Sequence, residues 1–319
     1  MDKKIILSID GGGVRGIIPV TILAELEKDT GIKVYDMFDI YAGTSVGSWI
    51  VLAISSLGYT GEQLVDMFTQ DNLKKIFSKD LIRPELFKPK YDGVGKTKFL
   101  QSIFGDKLMS DIKKQTYITA YDFIYNQAEI ISNSELISEN KRKIMYVSDV
   151  ANASSAAPTY FPPVKLRYTE IDQTKKIKCL IDGGIIANDP SMIAVSMSLA
   201  DDHINPENAE FSKLLSLGTG TVDQFSHDPD NYMEQSMNWG QVDWLRNGLI
   251  SSLFNGNSDA TELQCSALMR GNYYRVNNKI KKEISDMDNI SQNNIDSLKD
   301  VALSWYKEHK DNLMKFVSK

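Results

Sequence analysis

The sequence predicts an α/β fold, a three-layer sandwich with a mostly parallel central sheet and helices on both faces. Three observations carry this: short apolar runs alternate with segments of helical periodicity, three of those runs end in glycine-rich turns, and 42% hydrophobic residues in 319 supply a sizeable core. The runs at 4–9, 37–42, 116–121, 177–181 and 214–217 have strand length. Segments 17–28, 47–56, 60–77, 97–104 and 190–200 between them read as helices. The C-terminal third is mostly helical in pattern, apart from a strand-like 273–277. In that third, Val242, Leu245, Leu249, Ile250, Leu253 and Phe254 share one helical face with Trp239 and Trp244 nearby. Packing on the core is the expectation, with a lid or interfacial helix as the alternative. No Pro/Gly/Ser-rich linker or internal repeat interrupts the chain, so a single domain over 1–319 is expected.

Each glycine turn suggests chemistry. Gly43-Thr44-Ser45-Val46-Gly47 lies between a strand-like and a helix-like run. A serine at such an apex is forced into a cramped backbone, which demands small residues two positions to either side and exposes its hydroxyl at a helix N-terminus. The first strand discharges into Asp10-Gly11-Gly12-Gly13-Val14-Arg15-Gly16. Gly11, Gly13 and Gly16 fit the dinucleotide fingerprint, with Asp36 following Gly16 by 20 residues. The same glycines also fit a nest of amides for an oxyanion beside the serine turn. Asp182-Gly183-Gly184, after a third strand, favours the second reading, because a carboxylate there could converge on Ser45 and a dinucleotide fold has no need of it.

Five motifs in series resemble those of patatin-like phospholipases, in that family's order: Asp10 to Pro19, Phe38-Asp39 leading to Gly43-Thr44-Ser45-Val46-Gly47, Ala153 to Pro163, Asp182-Gly183-Gly184 with Asn188-Asp189-Pro190, and Ser216 to Gly220. Tyr273-Tyr274-Arg275-Val276 is similar to a late strand of that family. Val46 and Ser48 stand where many members have threonine and glycine. The resemblance implies a lipid acyl hydrolase with a serine-aspartate dyad: Ser45 as nucleophile, Asp182 as proton acceptor, and the amides of Gly11, Gly12 and Gly13 as oxyanion hole. It also implies that Arg15 braces the glycine loop or meets a substrate phosphate, with Gly16, Gly43, Gly47, Gly183 and Gly184 in support. The alternatives are a nucleotide-binding protein and a catalytically silent storage or interaction protein on the same fold. A conventional triad is open by chain order, since His203 and His227 both follow Asp182.

The remaining composition narrows the partners. A net charge of −6 argues against nucleic acid, and the resemblance implies an acyl-lipid at a membrane or micelle surface as the substrate. No run approaches transmembrane length and the first strand begins within a few residues of Met1, so a cytoplasmic protein, peripheral at membranes, is expected. Two cysteines, Cys179 and Cys265, read as free core thiols. No cofactor is expected. Nor is a metal: Asp286 and Asp288 begin like a calcium loop, but Ser291 and Ser297 occupy its glycine and glutamate positions, and the three histidines are scattered.

Overall fold

The computed structural model describes residues 4–77, 88–133, 144–169, 175–200, 212–222 and 229–318. Its strands are β1 (Ile5–Ile9), β2 (Ile40–Gly43), β3 (Gln115–Asp122), β4 (Gln127–Ser132), β5 (Val164–Thr169), β6 (Lys175–Asp182), β7 (Lys213–Leu217) and β8 (Tyr273–Val276). The helices are α1 (Ile17–Thr30), α2 (Val34–Met37), α3 (Val46–Leu57), α4 (Gly61–Asp66), α5 (Gln70–Ile76), α6 (Val94–Phe104), α7 (Val147–Ser154), α8 (Gly184–Ala187), α9 (Ser191–Ala200), α10 (Pro229–Ser236), α11 (Gln241–Arg246), α12 (Leu249–Met269) and α13 (Gln292–Val317).

β3, β2, β1, β7 and β8 lie side by side and parallel, which makes the sheet mostly parallel as the alternating pattern predicts. Period-2 alternation gives every central strand two buried faces. Ile5, Leu7, Ile9, Tyr41 and Leu215 join one core with α1, α3 and α13, while Ile6, Ile40, Ala42 and Leu214 join a second with α9 and α12. Two cores, one on each face, are the three layers.

The departures have local causes. Strand β2 starts at Ile40 because Val34–Met37 coils into a helical turn, and Lys114 takes the carbonyls of Tyr35 and Phe38 that a longer strand would need for its ladder. The 60–77 segment divides into α4, which the Thr60 side chain caps by accepting from the Gln63 amide, and α5, which starts after Thr69. β4 and β5 have no clear apolar signature, since β4 is largely exposed over its first half.

The largest departure lies in the C-terminal helices. The stripe from Val242 to Phe254 is broken at Asn247-Gly248, where Gly248 takes a φ of 89°. Val242, Leu245 and Leu253 are more than half exposed, and Phe254 alone of the stripe is fully buried. Core packing of that face is therefore corrected: only its Phe254 edge turns inward.

Candidate active site

The turn from β2 into α3 holds Ser45 at φ 54° and ψ −123°. That is a left-handed conformation for a residue with a side chain, worth about 1–3 kcal/mol of strain. Both flanking glycines are required by close approach. A Cβ on Gly43 would sit 2.6 Å from the Gly47 carbonyl oxygen, and one on Gly47 would sit 2.2 Å from that of Ile9. The hydroxyl of Ser48 donates to the Ser45 carbonyl at 2.5 Å, so the residue that replaces the family's usual glycine braces the turn from below.

Asp182 reaches Ser45 by a route that differs from the expected parallel strand. Strand β3 has two edges, and β4 occupies one of them along Tyr117 to Asp122. The other edge is shared: β2 takes Gln115 to Ile118, and β6 takes Ala120 to Asp122 in the antiparallel sense. The C-terminal ends of β2 and β6 thus meet head to head, with only Thr119 between their registers. Thr119 Oγ1 lies 2.7 Å from Thr44 Oγ1, and Thr44 donates to the Ala187 carbonyl at 2.6 Å. Gly183 packs so tightly on Thr119 that a Cβ would lie 2.1 Å from its hydroxyl oxygen.

Asp182 is 1% exposed. Its Oδ1 accepts from the Gly184 amide at 2.8 Å, while its Oδ2 has no hydrogen-bond partner among the described residues. Burial pushes the carboxyl up to about 6, opposed by the Ser45 hydroxyl, the Gly184 amide and the charge of Lys96. Ser45 is therefore close enough to influence Asp182 but stops short of a fully formed hydrogen bond, which is common before substrate binds.

The segment after α7 ties the two residues together. Ser154 Oγ accepts from the Ser45 amide at 3.0 Å, the Asp182 amide donates to the Ala156 carbonyl at 3.1 Å, and the Gly183 amide donates to the Ser154 carbonyl at 3.2 Å. Lys96 holds this clasp. The residue is 1% exposed, and its ammonium donates to the carbonyls of Asn152 and Ser155 at 3.1 and 2.7 Å and lies 4.3 Å from the centre of the Phe161 ring. Burial lowers it to about 7, with Asp182 opposing. Sequence reasoning missed Lys96, although Phe99, Leu100 and Phe104 at helical spacing place it on the buried face of α6.

The glycine loop opens between β1 and α1. The Gly11 amide donates to the Asn188 carbonyl at 3.1 Å, so it is already engaged. Among the described residues, the amides of Gly12 and Gly13 donate to no protein acceptor. Arg15 braces the loop through Nε to the Gly12 carbonyl at 3.3 Å and Nη1 to the Gly220 carbonyl at 3.1 Å. Gly16 packs against Phe68 and Val46 with no space for a side chain. Asp36 lies on α2, before β2 begins, at the edge of the sheet opposite Gly11. A strand length of roughly 13 Å separates it from where a dinucleotide ribose would need it, which removes the support for that reading.

These groups line one cleft of about 570 Å³, counting its open mouth. Gly12, Gly13, Ser45 and Asp182 face it, and the other walls are mainly apolar: Val46, Trp49, Leu73, Phe77, Phe161 and Phe254. Phe254 thus joins α12 to the site. His203 and His227 lie outside the described residues. His309 bonds Tyr274 Oη at 2.7 Å and is absent from the cleft lining. The acidic turn before α13 is tied up structurally, Asp288 pairing with Lys90 and Tyr91, and Ser291 capping the helix. No group of three or more metal-ligating side chains occurs among the described residues. Cys265 is buried, which pushes its thiol up to about 12, whereas Cys179 is only partly buried. No described helix is long and apolar enough to cross a membrane.

Comparison with known proteins points to the same family as the motifs. The chain is 28% identical to patatin-like protein 2 of Arabidopsis thaliana over 92% of its own length and 80% of the relative's. It is 28% identical to patatin-T5 of Solanum tuberosum over 98% and 84%. Among solved structures, VipD from Legionella pneumophila aligns over 95% of this chain and 67% of its own, with 12% identity and a TM-score of 0.43. The family model for patatin-like phospholipase matches residues 7–195, more than half of the chain, and spans the glycine loop, Ser45 and Asp182. The chain belongs to the patatin-like phospholipase family.

Proposed function

We propose that the protein is a phospholipase A-type lipid acyl hydrolase that works through Ser45 and Asp182, with the Gly12 and Gly13 amides as its oxyanion hole. The observation that carries this reading is the convergence, in one apolar cleft, of a strained serine at a helix N-terminus, a buried carboxylate with one unpartnered oxygen, and two unpartnered amides. Ser45 Oγ attacks the acyl carbonyl as its proton passes to Asp182 Oδ2. The carbonyl electrons move onto oxygen, which the two amides and the dipole of α3 stabilise. Collapse of this intermediate releases the lipid alcohol, which takes the proton back from Asp182, and leaves an acyl-serine. Water then repeats the sequence and frees the fatty acid.

A carboxylate with an ordinary pKa of 3.8 is a weak base for a hydroxyl; a value near 6 matches the task better. Asp182 in this reading needs no histidine, and the mostly apolar lining suits an acyl chain. Substitution of Ser45 by alanine tests the proposal. Ser45→Ala should abolish hydrolysis of a short-chain acyl ester and labelling by a fluorophosphonate while the fold persists. Unchanged turnover in the folded variant sinks the assignment. His203→Ala and His227→Ala should each retain most activity; loss of about 10³ or more in either folded variant would make the mechanism a triad.

A further inference from the structure

A second cavity adjoins the catalytic cleft and shares Tyr160 and Met287 with it. It is larger, about 970 Å³ counting its open mouth, and its lining is predominantly polar. Three cations surround it: Arg15 from the glycine loop, Arg246 at the end of α11, and Lys282 from the 3-10 turn Lys282–Ile284. Among the described residues of the lining Asp286 is the one carboxylate, so these residues carry a net charge of +2 in a chain whose total is −6. Arg15 has committed two of its nitrogens to loop carbonyls. Among the described residues, Arg246 and Lys282 form no ion pair. Like charges gathered with less counter-charge than they need repel one another and concentrate anions.

The adjacency determines what kind of anion fits. With an ester at Ser45 and its acyl chain along Trp49, Phe161 and Phe254, the polar end of a glycerolipid has a polar cavity beside it, across the shared residues Tyr160 and Met287. We propose that the polar cavity is a headgroup subsite for glycerophospholipids whose headgroup carries net negative charge, with Arg246 and Lys282 as its specificity-determining residues. This rests on the lipid-hydrolase reading and extends it to a choice among phospholipids. Arg15 is tied to the loop and contributes charge, whereas the two exposed cations are free to close on a phosphate. Because they are exposed, their contribution is screened by salt over a Debye length of about 10 Å.

The test compares wild type with the double variant Arg246→Gln/Lys282→Gln on phosphatidylglycerol and phosphatidylcholine of identical acyl chains in neutral detergent micelles. A short-chain nitrophenyl ester serves as a soluble third substrate. Wild type should favour phosphatidylglycerol in kcat/KM, and the preference should fall about tenfold in the double variant, the size expected for two exposed charge contacts. The charge-preserving Arg246→Lys/Lys282→Arg variant should keep most of it, and added salt should shrink it in wild type. A double variant with the wild-type preference, or a wild type with none, overturns the subsite. Binding of inorganic phosphate by wild type, with no lipid preference, also overturns it and marks a free-anion site. The soluble ester has no headgroup, so wild type failing to hydrolyse it defeats the proposed function itself.

Discussion

Asp10 and Asp182 are both buried carboxylates at the ends of strands, 2% and 1% exposed, and both lie close to the glycine turns that line the cleft. Asp10 is met by Arg275 from β8, whose Nη1 and Nη2 donate to its two oxygens at 3.0 and 2.7 Å. The same guanidinium contacts Asp189 at 3.0 Å and the Ser216 hydroxyl at 2.6 Å. Burial works against the charge on Arg275, but Asp10 and Asp189 outweigh it and hold the guanidinium protonated. Among the described residues Asp182 has no such partner, and the one cation in its field, Lys96, donates to carbonyls of the clasp instead. Burial raises both carboxyls, Asp10 to about 7 in spite of Arg275 and Asp182 to about 6, so their partners and not their burial set them apart: the forked cation on Asp10 fixes the ends of β1, β7 and β8, while the vacant oxygen of Asp182 beside a hydroxyl suits the proton transfer proposed above.

The comparison breaks most visibly at its structural half. Arg275→Ala leaves Asp10 and Asp189 buried without their cation, and the expected cost is about 3–5 kcal/mol in urea unfolding. A loss under about 1 kcal/mol would mean that the cluster does not anchor the sheet. On the reactive half, Gly12→Val brings a side chain against Thr219, where a Cβ would lie 2.2 Å from the hydroxyl oxygen, and so displaces an open amide. Turnover should fall about 10² to 10³ in the folded variant. A fall of less than about tenfold would remove Gly12 from the oxyanion role.

Asp182→Asn sharpens the contrast through stability. The folded carboxyl sits near 6 against an ordinary 3.8, so as pH rises the unfolded chain loses this proton first. The resulting penalty builds between those values and persists above pH 6, at about 3 kcal/mol as an upper figure. The variant should therefore be more stable than wild type at pH 8 and show no gain below pH 3.8; equal denaturation midpoints at pH 8 would contradict the desolvation argument. The smallest effect belongs to Lys96→Met, which loosens the clasp and removes a charge from the field of Asp182. An approximately tenfold loss of kcat is expected, with the acid limb of the pH-rate profile moved upward. A drop in kcat without that movement would reduce Lys96 to a purely structural cap.

Much of this was legible in the sequence because it depends on local geometry. Gly43 and Gly47 announce a turn that tolerates no Cβ, and the apolar runs around Ser45 place it between strand and helix. Asp182 was legible as a residue but not by its route, since antiparallel entry of β6 depends on which edge of β3 remains vacant, a non-local choice. The engaged Gly11 amide was hidden for a similar reason: its acceptor, Asn188, is 177 positions away. The exposed face of α11 and α12 shows the limit of periodicity, which marks an apolar stripe without saying what covers it.

If Asp182 is the base for Ser45, turnover of Asp182→Asn on a short-chain acyl ester at pH 8 is the decisive measurement. Asparagine keeps the shape and can still accept from the Gly184 amide, but it cannot take the serine proton. A folded protein slowed by about 10³ or more is expected, in line with the loss of a proton acceptor. A folded variant within about tenfold of wild type would contradict it and transfer the role of base to another residue.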